Sequence, residues 1–242
     1  MLEPTLVEFL PPSNHVNVAA LSRLFARATT SYKYLFFLSL LDILQAQNFD
    51  VTTAIRLRDI TVEMLLYAWH PHVVAGLSLG SQDRLADKLN TLYTSPSWPR
   101  SLGYDREALR QAIATQDIRD TVAYLKRYVP FRLLIPFVEE EIKQRGISRA
   151  EGNRLEVAMP SLAAELFNSH KPLYHFDADT PAKCRAVLVH PAWGRYIATH
   201  KLLLRDWALW TWLDYMQRRN PDVTGIVYKL GIWHKMASDS ER

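Results

Sequence analysis

With 242 residues, 48% of them hydrophobic and 22% charged, and with 8 glycines, the chain has the make-up of a folded protein. It is long enough for one large core or two small ones, and this composition excludes a disordered polymer. A single cysteine, Cys184, excludes an internal disulfide framework and a multi-thiolate zinc site, and it fits a reducing, cytoplasmic setting. The net charge of +4 is mild, permitting a polyanionic partner without requiring one.

In chain order, the first 14 residues are acidic and broken by prolines, unlike a signal peptide, and read as an extended arm. Asn14 or Asn17 is placed to cap a short helix ending near residue 27. The strongly apolar run 32–47 has hydrophobic residues on nearly every face, so a central buried helix is expected there. Its most apolar stretch, 34–44, is too short to span a bilayer, and no membrane partner is expected. A helix over 54–69 should stop at Pro71. Another should run from 81–83 to residue 93, followed by a loop rich in Ser and Pro. Amphipathic helices are expected over 104–115 and 117–128, and Gly146 is placed as a helix C-cap. The polar passage 147–171 carries a weak domain boundary, dividing an N-terminal helical bundle over 1–150 from a C-terminal unit over 172–235. A short hairpin near 173–189 is expected from two β-branched or aromatic runs around the turn 177–181. The last helix should run from about 192 to 219, stopped by Asn220-Pro221. The expected fold class is therefore mainly α, a multi-helix bundle with one short hairpin.

Catalytic signatures are scarce. The chain has no phosphate-binding glycine-rich loop, no G-x-S-x-G and no H-E-x-x-H. His70 and His72 flank Pro71, but no third ligand lies at metal-binding spacing, so helix-end roles are expected instead. His175, His190, His200 and His234 are scattered through the C-terminal part. The run Glu139-Glu140-Glu141-Ile142-Lys143 contains an acid-x-Lys pattern used by some magnesium nucleases on strands; here it has the context of a charged helical face. Cys184 sits near a strand start and is not expected to be a nucleophile. No metal site and no cofactor is expected.

The C-terminal quarter stands apart. Residues 185–235 carry +5, leaving about −1 for the rest of the chain, and they hold Trp193, Trp207, Trp210, Trp212 and Trp233 of the seven tryptophans. Positive charge beside large rings is what a nucleic-acid surface requires, with Arg195, Lys201, Arg205, Arg218, Arg219 and Lys229 as the expected phosphate contacts. Arg218 and Arg219 also have a purely structural explanation. They lie in the last turn of the helix, where cations offset its dipole, and Asp214 is four residues before Arg218.

Several phrases carry a resemblance. Thr30-Ser31-Tyr32-Lys33-Tyr34-Leu35-Phe36-Phe37-Leu38, Ala68-Trp69-His70-Pro71 and Leu77-Ser78-Leu79-Gly80-Ser81-Gln82-Asp83 are similar to phrases of bacterial proteins that carry an HNH endonuclease module. So are Val129-Pro130-Phe131-Arg132-Leu133-Leu134, Leu173-Tyr174-His175-Phe176, His190-Pro191-Ala192-Trp193 and Gln217-Arg218-Arg219-Asn220-Pro221-Asp222-Val223. In that family a ββα-metal module follows the helical region, and its histidines activate water and hold a divalent cation. Here the chain ends at Arg242, about where the module would begin, so no position matches the catalytic residues. The resemblance implies the scaffold alone: a helical recognition or regulatory region from a restriction or anti-phage system.

The leading expectation is accordingly a non-catalytic, cytoplasmic subunit that binds nucleic acid, a nuclease or another effector protein. Two others stand beside it. One is a protein-interaction scaffold with no nucleic-acid role, docking through an exposed Trp98 or Trp233; the other is a metal-dependent nuclease assembled from scattered acids and histidines.

Overall fold

The computed structural model describes residues 10–26, 28–80, 82–99, 105–147 and 154–230. The fold is mainly α. Helix α1 (Val18–Ser22) starts at Asn17, whose side chain accepts from the Ala20 N–H at 2.9 Å. Helix α2 (Tyr32–Ala46) is apolar all round and is accordingly buried on nearly all sides, with Leu35, Phe37, Leu38, Leu40 and Leu44 fully enclosed. Helix α3 (Leu57–Trp69) packs along it, as does the long C-terminal helix α10 (Pro191–Arg219). Between them in sequence lie α4 (Leu85–Tyr93), α5 (Arg106–Thr115), α6 (Arg119–Lys126), α7 (Val129–Leu133), α8 (Glu139–Gln144) and α9 (Arg154–Glu165). A final turn of helix, α11 (Ile226–Lys229), follows α10.

The hairpin expected near 173–189 forms. Strand β2 (Tyr174–Phe176) pairs antiparallel with β3 (Ala186–Val189). A third strand, β1 (Ile55–Arg56), adds to the other edge of β3, with Ile55 opposite Val187. Residues 54–56 therefore leave the expected helix, which begins three residues later. The cause lies far along the chain: the Leu57 N–H donates to the Arg185 carbonyl at 2.8 Å, extending the backbone up to the helix start.

Pro71 does not stop its helix. The chain runs on through one π-helical turn (His70–Val74), in which the Ala75 N–H reaches the His70 carbonyl at 2.9 Å. A proline lacks the N–H of an ordinary helical turn, and the wider turn accommodates the loss. Gly146 caps α8 as expected, at φ +62°, with the Ile147 N–H bonding back to the Ile142 carbonyl at 3.0 Å. In the passage read as polar, helix α9 buries Leu155, Met159, Leu162 and Ala163, a spacing of four, seven and eight residues.

Among the described residues, buried side chains from both sides of the passage 147–172 belong to one hydrophobic core. Trp207 of α10 stacks on Phe25 at 4.8 Å and meets Phe37 edge-on at 5.9 Å; Trp212 meets Tyr67 of α3 edge-on at 6.4 Å. Trp98 is buried against Trp69 at 4.6 Å, so it is not the exposed docking residue expected from sequence, while Trp233 lies outside the described residues. Among the described residues, no helix is long and apolar enough to cross a membrane.

Candidate functional site

Helix α10 carries most of the cations expected to touch phosphate, and the fold disperses them. Its start is set by His190, whose Nδ1 accepts from the Ala192 N–H at 3.0 Å; burial holds this imidazole below its ordinary pKa. The helix kinks at His200, where φ and ψ are −117° and 22°, so its two halves do not share one continuous face.

Arg205 is a correction to the expected set. Its side chain is 13% exposed and pairs with the equally enclosed Asp42 at 2.9 Å. Asp42 also accepts from Tyr67 Oη at 2.8 Å and from Arg106 at 3.1 Å, and Arg106 and Arg110 pair with the enclosed Glu63. The charge of Arg205 is thus neutralised inside the protein, where a phosphate does not reach.

The other five lie at the surface. Arg218 pairs with Asp214 on the same helix, the i, i+4 contact expected from sequence. Arg219 lies over the Tyr215 ring at 5.2 Å, and Lys201 lies over the Phe49 ring at 5.9 Å. Arg195, Lys201 and Lys229 are exposed and have no carboxylate partner among the described residues. Lys201 and Arg219 are each nine residues from Trp210, which at about 3.6 residues per turn puts them half a turn round the helix from it. Lys201 and Arg219 thus share the side of the helix opposite Trp210, while Arg195 lies before the kink and Lys229 on α11.

What α10 does present as a stripe is apolar. Residues 202–213 are apolar apart from Arg205, Asp206 and Thr211; Trp207, Leu209 and Trp212 are enclosed, but one face is open. Trp210 is 59% exposed, Leu203, seven residues before it, 40%, and the adjacent Leu202 54%. Seven residues are two helical turns, so Leu203 and Trp210 share a line along the helix. The signal was present in the sequence as two apolar residues at this spacing, masked by apolar neighbours on every other face.

Segments 29–31, 78–83 and 215–220 meet beneath the C-terminal end of α10. Asn220 grips the backbone of Ser78 from both sides: its Oδ1 accepts from the Ser78 N–H at 2.8 Å and its Nδ2 donates to the Ser78 carbonyl at 3.0 Å. Tyr215 Oη donates to the carbonyls of Leu79 at 3.0 Å and Thr29 at 3.2 Å. Gly80 sits at φ +120°, and a Cβ there would lie 2.5 Å from the Tyr215 hydroxyl, so the close approach requires glycine. Buried Asp83 accepts from the Ser31 N–H and the Leu85 N–H, each at 2.9 Å, joining the starts of α2 and α4. Burial raises its carboxyl to a pKa of about 6, against the hydrogen bonds that lower it. Every one of these contacts ties chain to chain, so the junction is a structural joint.

The remaining candidates also have structural partners. His70 Nδ1 lies 3.0 Å from the Lys229 carbonyl; His72 bridges the Leu77 carbonyl at 3.3 Å and Asn90 Oδ1 at 3.0 Å. Glu139 pairs with Arg23, Glu140 with Lys143 and Glu141 with Arg145, which makes 139–143 the charged helical face expected. Buried Cys184 donates to the carbonyls of Ala178 and Thr180, and burial pushes its thiol up to about 11. His234 lies outside the described residues. Among the described residues, no three metal-binding side chains gather in one place.

No protein-family model, curated protein or solved structure matches the chain.

Proposed function

We propose that this chain is a non-catalytic helical binding subunit that docks an effector protein on the open face of α10. The observation that carries the reading is the exposed apolar patch formed by Leu203 and Trp210 on one line of the helix, with Leu202 beside it. A tryptophan buries some 150–250 Å² when covered, and such residues dominate the energy of protein interfaces. The resemblance to helical regions of HNH-nuclease proteins supports a nuclease or related defence effector as the partner. The test is co-purification of the wild-type chain and a Trp210→Asp variant from cells expressing the neighbouring genes. A partner retained in stoichiometric amount by wild type and lost by the equally stable variant supports the reading. Equal retention by both refutes it.

A second reading, binding to the nucleic-acid backbone, is favoured by the exposed and carboxylate-free Arg195, Lys201 and Lys229. It predicts affinity for duplex or single strands that falls steeply with salt, with a slope flattened by about 2–3 when these three become alanine. Binding with the same slope in wild type and variant would remove it.

A further inference from the structure

A cavity of about 570 Å³ opens on the side of the molecule lined by the end of α1, the first turn of α2 and helices α6 and α7. No residue of α10 lines it, and neither functional reading above involves it. Its walls include Arg23, Lys33, Gln82, Tyr124, Tyr128 and Arg132, and one carboxylate, Glu139, which pairs with Arg23 at 3.0 Å. Arg23 is matched by Glu139, and Arg132 by Glu156.

Arg132 is built for recognition. Its Nε donates to Oε1 of Glu156 at 2.6 Å, and that carboxylate is 4% exposed. Its guanidinium carbon lies 4.5 Å above the Tyr128 ring, whose centre is also 5.1 Å from the Arg127 guanidinium carbon. The guanidinium is therefore held by one edge and one face. Its two Nη groups make no hydrogen bond to the described residues, although the side chain is 47% exposed and lines the cavity. A buried carboxylate is expensive unless paired, and here it fixes the plane of a fork whose outer donors remain open. A fork fixed in advance loses little freedom on binding and matches the two oxygens of a phosphate.

We propose that this cavity binds a nucleoside 5′-phosphate, with the phosphate on the open fork of Arg132 and the base against the Tyr124 ring. The volume fits: ligand sites of nucleotide size fall within roughly 300–1,000 Å³. Tyr124 supplies a flat apolar face, and Gln82 supplies both a donor and an acceptor for a base edge. The same chemistry is offered by a free mononucleotide and by the 5′ end of a strand.

Titration calorimetry on the full chain tests the proposal, with AMP, ATP, inorganic phosphate, and a dinucleotide bearing either a 5′-phosphate or a 5′-hydroxyl. Arg132→Lys keeps a positive charge opposite Glu156 but loses the fork, and it should weaken AMP binding at least tenfold. Tyr124→Leu, which leaves both Glu156 and the Tyr128 ring in place around Arg132, should weaken AMP and spare inorganic phosphate. AMP binding tighter than the 5′-phosphorylated dinucleotide identifies a free nucleotide as ligand; the reverse order, with the 5′-hydroxyl form inert, identifies a strand end. Absence of heat at millimolar nucleotide with folded protein overturns the proposal. So does binding that both variants leave unchanged, or phosphate binding as tight as AMP.

Discussion

Replacing Arg205 by methionine separates a structural arginine from a phosphate-binding one. The substitution keeps an unbranched apolar stem and removes the charge facing Asp42, whose side chain is 13% exposed. Breaking a buried pair from one side costs about 3–5 kcal/mol when the remaining charge is orphaned. Asp42 is not orphaned, because Tyr67 Oη at 2.8 Å and Arg106 at 3.1 Å still reach it. The expected loss is therefore about 2–3 kcal/mol, or roughly 4–12 °C in melting temperature for a chain of this size. Arg195→Met, at an exposed position on the same helix, should stay within about 0.5 kcal/mol of wild type. Thermal and urea unfolding of the two variants beside wild type measure the difference. Equal melting temperatures for Arg205→Met and Arg195→Met would refute the internal pairing, and with it the removal of Arg205 from the binding surface.

Other outcomes follow from burial. Asp83 titrates near 6 in the fold and near 3.8 when exposed, so the folded chain binds the extra proton and loses stability as pH rises through that window. The stability difference between wild type and Asp83→Asn should accordingly shift against wild type by up to about 3 kcal/mol from pH 4 to pH 7, whereas a constant difference would contradict the buried carboxyl. Cys184, buried and with its thiol raised to about 11, should react with a thiol reagent at pH 8 only at the rate of unfolding; immediate labelling of the native chain would show it to be accessible. Leu38→Ala in the centre of α2 should cost about 2–5 kcal/mol by urea denaturation, and an unchanged midpoint would displace α2 from the core. Gly194→Ala brings a Cβ to 2.6 Å from Val51 Cγ1, and overpacking of this kind costs about 1–3 kcal/mol, which calorimetric melting would register.

How far function was legible follows from what each signal depends on. The position of α2 was readable because hydrophobic residues on all faces of a helix leave it no stable place except the interior. The cap at Asn17, the glycine stop at Gly146 and the pair Asp214–Arg218 are local devices, and local sequence predicts them. Helix α9 was legible but overlooked, since its buried residues recur with helical spacing in a stretch otherwise rich in polar side chains. The open face of α10 was hidden for the opposite reason: where almost every residue is apolar, periodicity no longer distinguishes the side that faces solvent.

Composition and pattern by themselves thus determined a mainly α protein with a buried central helix, a late hairpin and a long C-terminal helix. Only the tertiary structure decided what each charge is for. Arg205 and Arg218 look alike in sequence, yet one faces Asp42 from 163 residues away and the other an aspartate one turn back. Strand β1 exists because β3 offers it an edge, and the Arg132 fork is open because Glu156 and Tyr128 hold the rest of the group. Partners distant in the chain set burial, and burial sets whether a cation is a bolt inside the fold or a contact for something outside it.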